Sequence, residues 1–539
     1  MMQRNRIYIF YTVVVIGLML LVGRLAELQL IFGAKNRALA EGNRIRRIEL
    51  PSPRGVIYDR QGVELTRNVP LYRTAVRREG VVVGWQAIDR EEAMRLESRG
   101  EVEELREDVG REYLFGPALA HVLGYLGEVN EEEVSGGGYK IGDLIGRTGI
   151  EQQYDSRLRG KPGGKLVEVD AAGKQIRQMG VVEPTVGEEL QLTIDAKLSE
   201  VAFKALGGKS GAVVVSDTRG NLLALVSSPG FDPNLFRDLG YDKVGQGMVG
   251  KILTDESKPM LNRAIGANYP PGSTFKIVSA TAGLEEGKLD SKTLYDDQGL
   301  IRIGEYVYRN WYFSQYGRTE GKINLVKALQ RSTDTFFYKV GEWVGAQQLA
   351  DWARRFGFGQ VTGVDLPGEV AGYILDPQTK EEERGERWFL GNTYHFAIGQ
   401  GYLLATPLQV NAMTEVVANG GSLCRPGIVQ SSKFKVQSGD CQELGLKKET
   451  LELIRAGMEG ACSAGGTAYP FVDFKPETAC KTGTAEFGDL QEKTHAWFTA
   501  FAPADKPEIV VTVLVEGGGE GSSVAAPIAK TVMEAWFSY

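Results

Sequence analysis

Residues 7 to 23, IYIFYTVVVIGLMLLVG, form an uncharged apolar run of seventeen that no later segment repeats. Seventeen residues lie at the lower end of the ~17 to 25 that cross a bilayer as a helix. Leu25, Leu28, Leu30, Ile31 and Phe32 can lengthen it. A signal peptide has a shorter apolar core, ~7 to 15 residues, and a small-x-small cleavage site after it; the following RLAELQL offers none. A helix buried in a soluble core is the other alternative. The run predicts one uncleaved membrane anchor, and with no second span the rest of the chain lies on a single side of the membrane. Arg4 and Arg6 precede the run, but Arg24, Lys35, Arg37, Arg44, Arg46 and Arg47 follow it. Counting charges therefore assigns no orientation.

The 539 residues, 42% hydrophobic and 24% charged, fit a mainly globular chain with room for a sizeable core, and exclude a many-span or largely disordered one. At ~100 to 200 residues per domain the length allows three or four domains, or one large domain with appendages. Lys and Arg number 62 against 69 Asp and Glu, a net charge of -7, which argues against a nucleic-acid partner. Only His121, His395 and His495 are present. Neither a His-built metal site nor a His base is expected from so few, so a nucleophile needs a different base, and no cofactor or metal is expected. Cys424, Cys441, Cys462 and Cys480 contain no C-x-x-C pair. Cys424 with Cys441 is the disulfide to test first, free buried thiols being the alternative.

Three segments follow: anchor (1–33), a small β or mixed pedestal (34–188), and an α+β domain (189–539). Pro51 and Pro53 punctuate RIRRIELPSPRGVIYDRQG, which reads as linker turning into a small β-region. Between Glu79 and Gly110 the sequence is rich in Glu and Arg, and AIDREEAMRLE and VEELRE predict short amphipathic helices with solvated charges. Glycines at 136–138 and the GKPGG of 160–164 mark loops. Beyond Leu190, LQLTID reads as a strand, GAVVVSDTRGNLLALVSS as a hairpin turning at Asp217 to Asn221, and AWFTAFAP and IVVTVLVEGG as two more strands. KIVSATAGLEEG and INLVKALQRSTDTFFYKVGEWV between them have helical period. Strands at both ends with helices between predict an antiparallel sheet that brings the two ends together.

Gly208-Lys209-Ser210 mimics the end of a phosphate loop, but the first glycine of that motif would fall at Phe203. The Gly517 to Gly521 cluster lacks dinucleotide spacing and reads as a loop. Tyr269-Pro-Pro-Gly-Ser-Thr-Phe-Lys276 carries more chemistry. Its prolines stop preceding structure, Gly272 permits close backbone approach, and Ser273 falls near the start of a helix. Ser273 and Lys276, three apart, share a helix face and can come within hydrogen-bond reach. A desolvated lysine can be neutral enough to take the serine proton, and helix-start amides favour developing negative charge. An N-cap serine followed by an exposed lysine gives the same pattern without chemistry. Ser332-Thr333-Asp334 and Lys481-Thr482-Gly483-Thr484 follow in order. S-x-x-K, a second serine motif and K-T-G in that order are far more specific than any one alone.

With these motifs the chain resembles the class B penicillin-binding proteins, monofunctional D,D-transpeptidases of peptidoglycan. The resemblance covers nearly the whole sequence. Pro53-Arg-Gly-Val-Ile-Tyr-Asp-Arg60-Gln-Gly62 is similar to the start of the family's non-catalytic, dimerisation-type pedestal, and Ile145-Gly-Arg-Thr-Gly-Ile-Glu-Gln-Gln-Tyr-Asp155 to its end. Ser-Thr-Asp-Thr-Phe-Phe-Tyr338 and Gly399-Gln-Gly-Tyr-Leu-Leu-Ala-Thr-Pro-Leu-Gln409 are most similar to the elongation-type enzymes of the penicillin-binding protein 2 group. A division or sporulation transpeptidase is the nearest alternative. A β-lactamase or β-lactam-sensing domain is more remote, since it needs no pedestal.

The resemblance implies that Ser273 attacks the bond between the terminal D-alanines of a stem peptide and is acylated by β-lactams, with Lys276 as base and Ser332 relaying the proton. Lys481 would supply positive charge. Thr482, Gly483 and Thr484 would bind the substrate carboxylate, with the backbone amides of Ser273 and Thr484 as oxyanion hole. Asp334 stands where the family more often has Asn; a carboxylate there favours the ammonium form of Lys276, so Asp334 is expected to orient Lys276 within a jointly titrating cluster. The implied partners are lipid-linked nascent glycan, a SEDS-family (RodA-type) glycan polymerase and elongation scaffold proteins. The implied setting is the cytoplasmic membrane, amino end inside and catalytic domain outside.

Overall fold

The computed structural model describes residues 2–35, 44–99, 105–169, 175–237, 243–430, 440–487 and 493–538. The apolar run forms helix α1 (Met2–Ala26), continued by a π-type turn over Glu27–Ile31. Among the described residues its apolar side chains stay uncovered, Leu20 and Leu21 being 70% and 72% exposed. The stretch Ile7–Ile31 is long and apolar enough to cross a bilayer, the environment that so much exposed apolar surface requires.

The pedestal is built from two three-stranded antiparallel sheets with short helices. Its elements are β1 (Ile45–Leu50), β2 (Ile57–Tyr58), β3 (Thr66–Arg78), β4 (Val81–Ile88), α2 (Arg90–Ser98), β5 (Leu105–Tyr113), α3 (Gly149–Gln153), β6 (Gly163–Val169) and β7 (Gln175–Val182). One sheet has the order β1-β6-β7, the other β4-β3-β5. The helix expected in AIDREEAMRLE is α2, whose Asp89 cap accepts from the Glu92 amide at 2.8 Å. The helix expected in VEELRE is corrected: Leu105, Arg106 and Glu107 open β5, while 101–104 lie outside the described residues. The register from Thr66↔Tyr113 to Thr74↔Leu105 commits this stretch to β3. Pairing along a whole strand overrides the local helical preference of Glu, Leu and Arg.

The second domain comprises β8 (Leu190–Gln191), α4 (Ala196–Leu206), β9 (Gly211–Ser216), β10 (Leu222–Ser228), α5 (Lys276–Glu285), β11 (Tyr295–Asp297), α6 (Trp311–Tyr316), α7 (Leu325–Arg331), α8 (Asp334–Val344), α9 (Pro407–Ala418), α10 (Lys448–Ala461), β12 (Ala479–Glu486), β13 (Thr494–Ala502), β14 (Ile509–Val515) and α11 (Ala525–Phe537), with shorter pieces between. Its five-stranded antiparallel sheet has the order β10-β9-β14-β13-β12. As predicted, the sheet joins the two ends of the domain, and the β9–β10 hairpin turns at Asp217, whose amide donates to Asn221 O at 3.0 Å. Helices α4 and α11 cover one face. The other packs on a larger core that includes α5, α8 and α9.

Two features depart from the sequence reading. The helical pattern Ile323–Val344 is not one helix: it breaks at Ser332, which takes the left-handed conformation (φ 56°) between α7 and α8. Besides the bridge between Cys424 and Cys441, cross-strand partners in a short ladder, a second disulfide joins Cys462 to Cys480. Cys462 caps α10 and Cys480 precedes Lys481 in β12, so this bridge anchors the start of the K-T-G strand. Apolar packing continues across residue 188: Ile57, Leu65, Leu119 and Ile150 pack in one core with Leu190, Leu192, Val214 and Leu408.

Candidate active site

Gly272–Phe275 form a single 3-10 turn that runs directly into α5, so half-buried Ser273 stands just ahead of the helix, and Lys276 opens it. Gly272 is required here. Its φ is +54°, and a Cβ would lie 2.8 Å from Thr484 O. The turn is held from several directions. Gly272 N donates to Gly399 O (2.9 Å), Tyr269 and Ala405 exchange backbone bonds (2.9 and 2.8 Å), and Trp497 Nε1 donates to Pro270 O (2.9 Å). Tyr269 OH donates to Glu516 (2.5 Å), which also pairs with Arg263 (2.9 Å). Thus the Gly399–Ala405 segment works as a backbone clamp on the serine turn.

Lys276 and Lys481 are fully buried and Ser332 is nearly so. Lys276 Nζ donates to Asp334 Oδ1 (2.6 Å), Ser332 O (2.8 Å) and Ser332 Oγ (3.2 Å). Those three acceptors use the three donors of an ammonium group. Accordingly, no hydrogen bond joins Lys276 to Ser273 among the described residues, unlike the direct contact their spacing permits. Lys481 Nζ donates to the same Ser332 Oγ (2.8 Å) and to Thr482 O (2.9 Å). One hydroxyl oxygen therefore bridges the two lysines.

Burial pulls the Lys276 ammonium below its ordinary range, and Asp334 pulls it back up. Burial lowers Lys481 much further, the charge of Lys276 adds to the shift, and Asp334 offsets only part of it. Lys481 has no ion pair among the described residues. The sequence reading puts the resting positive charge on Lys481, whereas this geometry favours it on Lys276, against Asp334. A serine hydroxyl donates as well as accepts, so Ser332 offers a route for a proton between the lysines.

On β12, Thr482 is buried and Thr484 exposed. Thr482 Oγ1 donates to Thr467 Oγ1 (2.7 Å), and Gly521 N lies 3.5 Å from Thr484 Oγ1. Gly483 lies against the serine turn: a Cβ would come 3.0 Å from Thr274 Cγ2. β12 is an edge strand, and an uncovered edge can pair with an extended peptide. The fold thus gathers Ser273, Lys276, Ser332, Asp334 and Lys481 into one cluster, with Thr482, Gly483 and Thr484 beside them. Sequence reasoning missed Thr467, the Gly399 clamp as a contact, and a buried network around Asp297. Each contact joins positions apart in sequence, 15 residues for Thr482 with Thr467 and 38 for Thr335 with Asp297, so no local pattern announces the pairing.

Residues 210–534 match the penicillin binding protein transpeptidase domain, and residues 82–192 the penicillin-binding protein dimerisation domain. Peptidoglycan D,D-transpeptidase MrdA of Acinetobacter baumannii is 32% identical, over 99% of this chain and 87% of its own length. Among solved structures, the complex between penicillin-binding protein PBP2 and MreC from Helicobacter pylori gives a TM-score of 0.79 at 29% identity, covering 92% of this chain and 99% of that one. A structure of a peptidoglycan synthase complex that coordinates polymerization and crosslinking gives 0.77 at 28% identity, covering 99% of this chain and 98% of that one. With its two matched domains in order and the three motifs gathered in one cluster, the chain belongs to the penicillin-binding protein transpeptidase family.

Proposed function

We propose that this chain is the peptidoglycan D,D-transpeptidase of cell-wall elongation, working through an acyl-enzyme on Ser273. The observation that carries the reading is the shared hydroxyl of Ser332, which accepts from Lys276 at 3.2 Å and from Lys481 at 2.8 Å beside the serine turn. A stem-peptide carboxylate arriving at Thr482 and Thr484 brings negative charge close to Lys481 and stabilises its ammonium form. A proton then moves from Lys276 through Ser332 to Lys481, and Lys276 becomes a neutral base.

Lys276 takes the Ser273 Oγ proton as Oγ adds to the carbonyl of the penultimate D-alanine. The oxyanion is held by the backbone amides of Ser273 and Thr484, each such donor typically contributing ~2.7 to 4 kcal/mol. Collapse breaks the C–N bond. The departing D-alanine amine receives its proton through Ser332, leaving an ester on Ser273. The amine of a second stem peptide attacks that ester, forms the cross-link and returns the proton to Ser273. A β-lactam follows the first half and stops at the ester.

On this reading the chain is held in the cytoplasmic membrane with its amino end inside and the catalytic domain facing the wall; the apolar helix Ile7–Ile31 supports the membrane attachment. A scaffold of the MreC kind and a SEDS-family glycan polymerase are its partners, in keeping with the complexes of its relatives. Labelled penicillin tests the nucleophile: the wild-type chain is modified on the peptide that contains Ser273, and Ser273→Ala is unlabelled. Labelling that persists in Ser273→Ala sinks the assignment.

A further inference from the structure

Ser332 is a non-glycine residue at positive φ, a backbone state that persists only where its surroundings over-determine it. The surroundings here centre on Asp297, at the end of β11 and wholly buried. Its carboxyl accepts five hydrogen bonds from four residues: Gly299 N (2.9 Å), Glu320 N (2.9 Å), Thr335 Oγ1 (2.6 Å) and Asn310 Nδ2 (2.9 and 3.0 Å). All are neutral donors. Two of these donors are themselves fixed. Asn310 caps α6, its Oδ1 accepting from Phe313 N at 2.8 Å, and Thr335 lies in the first turn of α8 beside Asp334.

The chain just before Ser332 is tied to the same ring. Arg331 Nε donates to Glu320 (2.7 Å), and Arg331 O accepts from Trp311 Nε1 (2.8 Å). Asp297 therefore fastens α6, the chain at Glu320 and α8 around residues 331–335. It is not itself a partner of Lys276 or Lys481.

We propose that Asp297, acting through Thr335 and Asn310, is a positioning residue for the transpeptidation centre: it holds Ser332 left-handed and Asp334 against Lys276. The inference rests on the roles given above to Ser332 and Lys276. The groups facing this junction are Tyr295, Asp296, Glu342 and the Glu320–Arg331 pair on the Asp297 side, and Asp334, Tyr338, Lys276 and Lys481 on the other. If Asp334 drifts away from Lys276, the influence that favours the ammonium is lost and the base is freed at lower pH.

The test is the second-order rate of acylation by a labelled penicillin, measured against pH on the full chain in detergent. Thr335→Val keeps the shape and removes the hydroxyl; Asp297→Asn puts a donor among donors; Thr335→Ser restores the hydroxyl. Thr335→Val and Asp297→Asn are expected to acylate about 10- to 100-fold more slowly, as for a small misplacement of catalytic groups, with the acid limb moved to lower pH. Thr335→Ser is expected near wild type. If Asp297→Asn does not fold, the Thr335 pair decides alone. A wild-type rate and profile in Thr335→Val, a slower rate with an unmoved profile, or a Thr335→Ser as slow as Thr335→Val each overturns the proposal. Ser273→Ala separates the two readings. Labelling retained there defeats the proposed function, whereas its loss alongside a wild-type Thr335→Val defeats the positioning role alone.

Discussion

Lys276 and Asp334 form a 2.6 Å ion pair on a lysine that is completely buried. Burial lowers the lysine and the carboxylate raises it, so the two influences predict the sign of a substitution. Asp334→Asn removes only the second. The Lys276 ammonium then releases its proton more readily, and the acid limb of the acylation profile moves to lower pH. Loss of the ionic contact also loosens the lysine, so the plateau rate falls by about tenfold or more. Acylation rates between pH 5 and pH 9 check this, and an acid limb that stays in place or moves upward contradicts it. The residues of this centre were legible because serine, lysine and K-T-G chemistry is written in short local patterns. Asp297 and Thr467 were not, because a buried carboxyl and a strand-side hydroxyl acquire meaning only from partners brought to them by the fold.

Among the elements, the sheet strands β9, β10, β13 and β14 could be read, whereas the opening of β5, expected as a helix, and one helix break could not. β9 and β10 are apolar runs around an Asp217–Asn221 turn, and composition with turn chemistry was enough. Nothing in QRSTDTFF marks the break at Ser332, since no glycine or proline stands there. Helix α9 is buried along its whole length, so it has no polar face, and the polar groups it carries must be satisfied inside. They form a seam against the sheet. Thr414 Oγ1 meets Thr499 Oγ1 (2.7 Å), Thr499 meets Thr512 (2.8 Å), and Ser216 Oγ reaches Asn411 (2.8 Å) and Glu415 (3.2 Å). Burial, with the charge of Asp217 adding to it, pushes the Glu415 carboxyl up to about 8. The folded protein thus keeps a proton that the unfolded chain releases near pH 4.5. The contribution of this group is full below that pH and declines by about 1.4 kcal/mol per unit as pH rises toward 8. Glu415→Gln keeps an acceptor for Ser216 without the titration. It is expected to flatten the stability–pH slope between pH 5 and 8 and to exceed wild type at pH 8, as denaturant unfolding at several pH values would register. Parallel slopes would refute it.

Across the whole molecule, the two short motifs that bracket the pedestal in sequence meet in space through charge. Arg54 reaches Glu151 (2.8 Å) and Asp155 (2.9 Å), while Arg111 reaches Glu151 (2.7 Å) and Gly55 O (2.7 Å). Burial alone would raise the Glu151 carboxyl, but the two guanidinium groups overcome it and hold it below the usual carboxylate range. Its stabilisation is therefore present above about pH 4.5 and is lost as pH falls through the lower folded value. Beside this network, Tyr154 OH donates to Asp365 (3.0 Å), which also accepts from the Ile428 and Val429 amides (2.7 and 3.1 Å). The ion network is thus wired to the second domain, and both lie on the apolar core that runs from Ile57 to Val429. Glu151→Gln leaves the buried Arg111 guanidinium without its countercharge and Arg54 with Asp155 alone, and breaking a buried pair in this way typically costs about 3 to 5 kcal/mol. Because the core is shared, that loss should lower the stability of pedestal and catalytic domain together, in one transition, while penicillin acylation of the folded variant keeps its wild-type rate. Thermal unfolding read both by tryptophan fluorescence and by survival of acylation measures this. Two separated transitions, with only the first moved, would mean that the pedestal is an independent unit and that the shared core does not couple it to the catalytic domain.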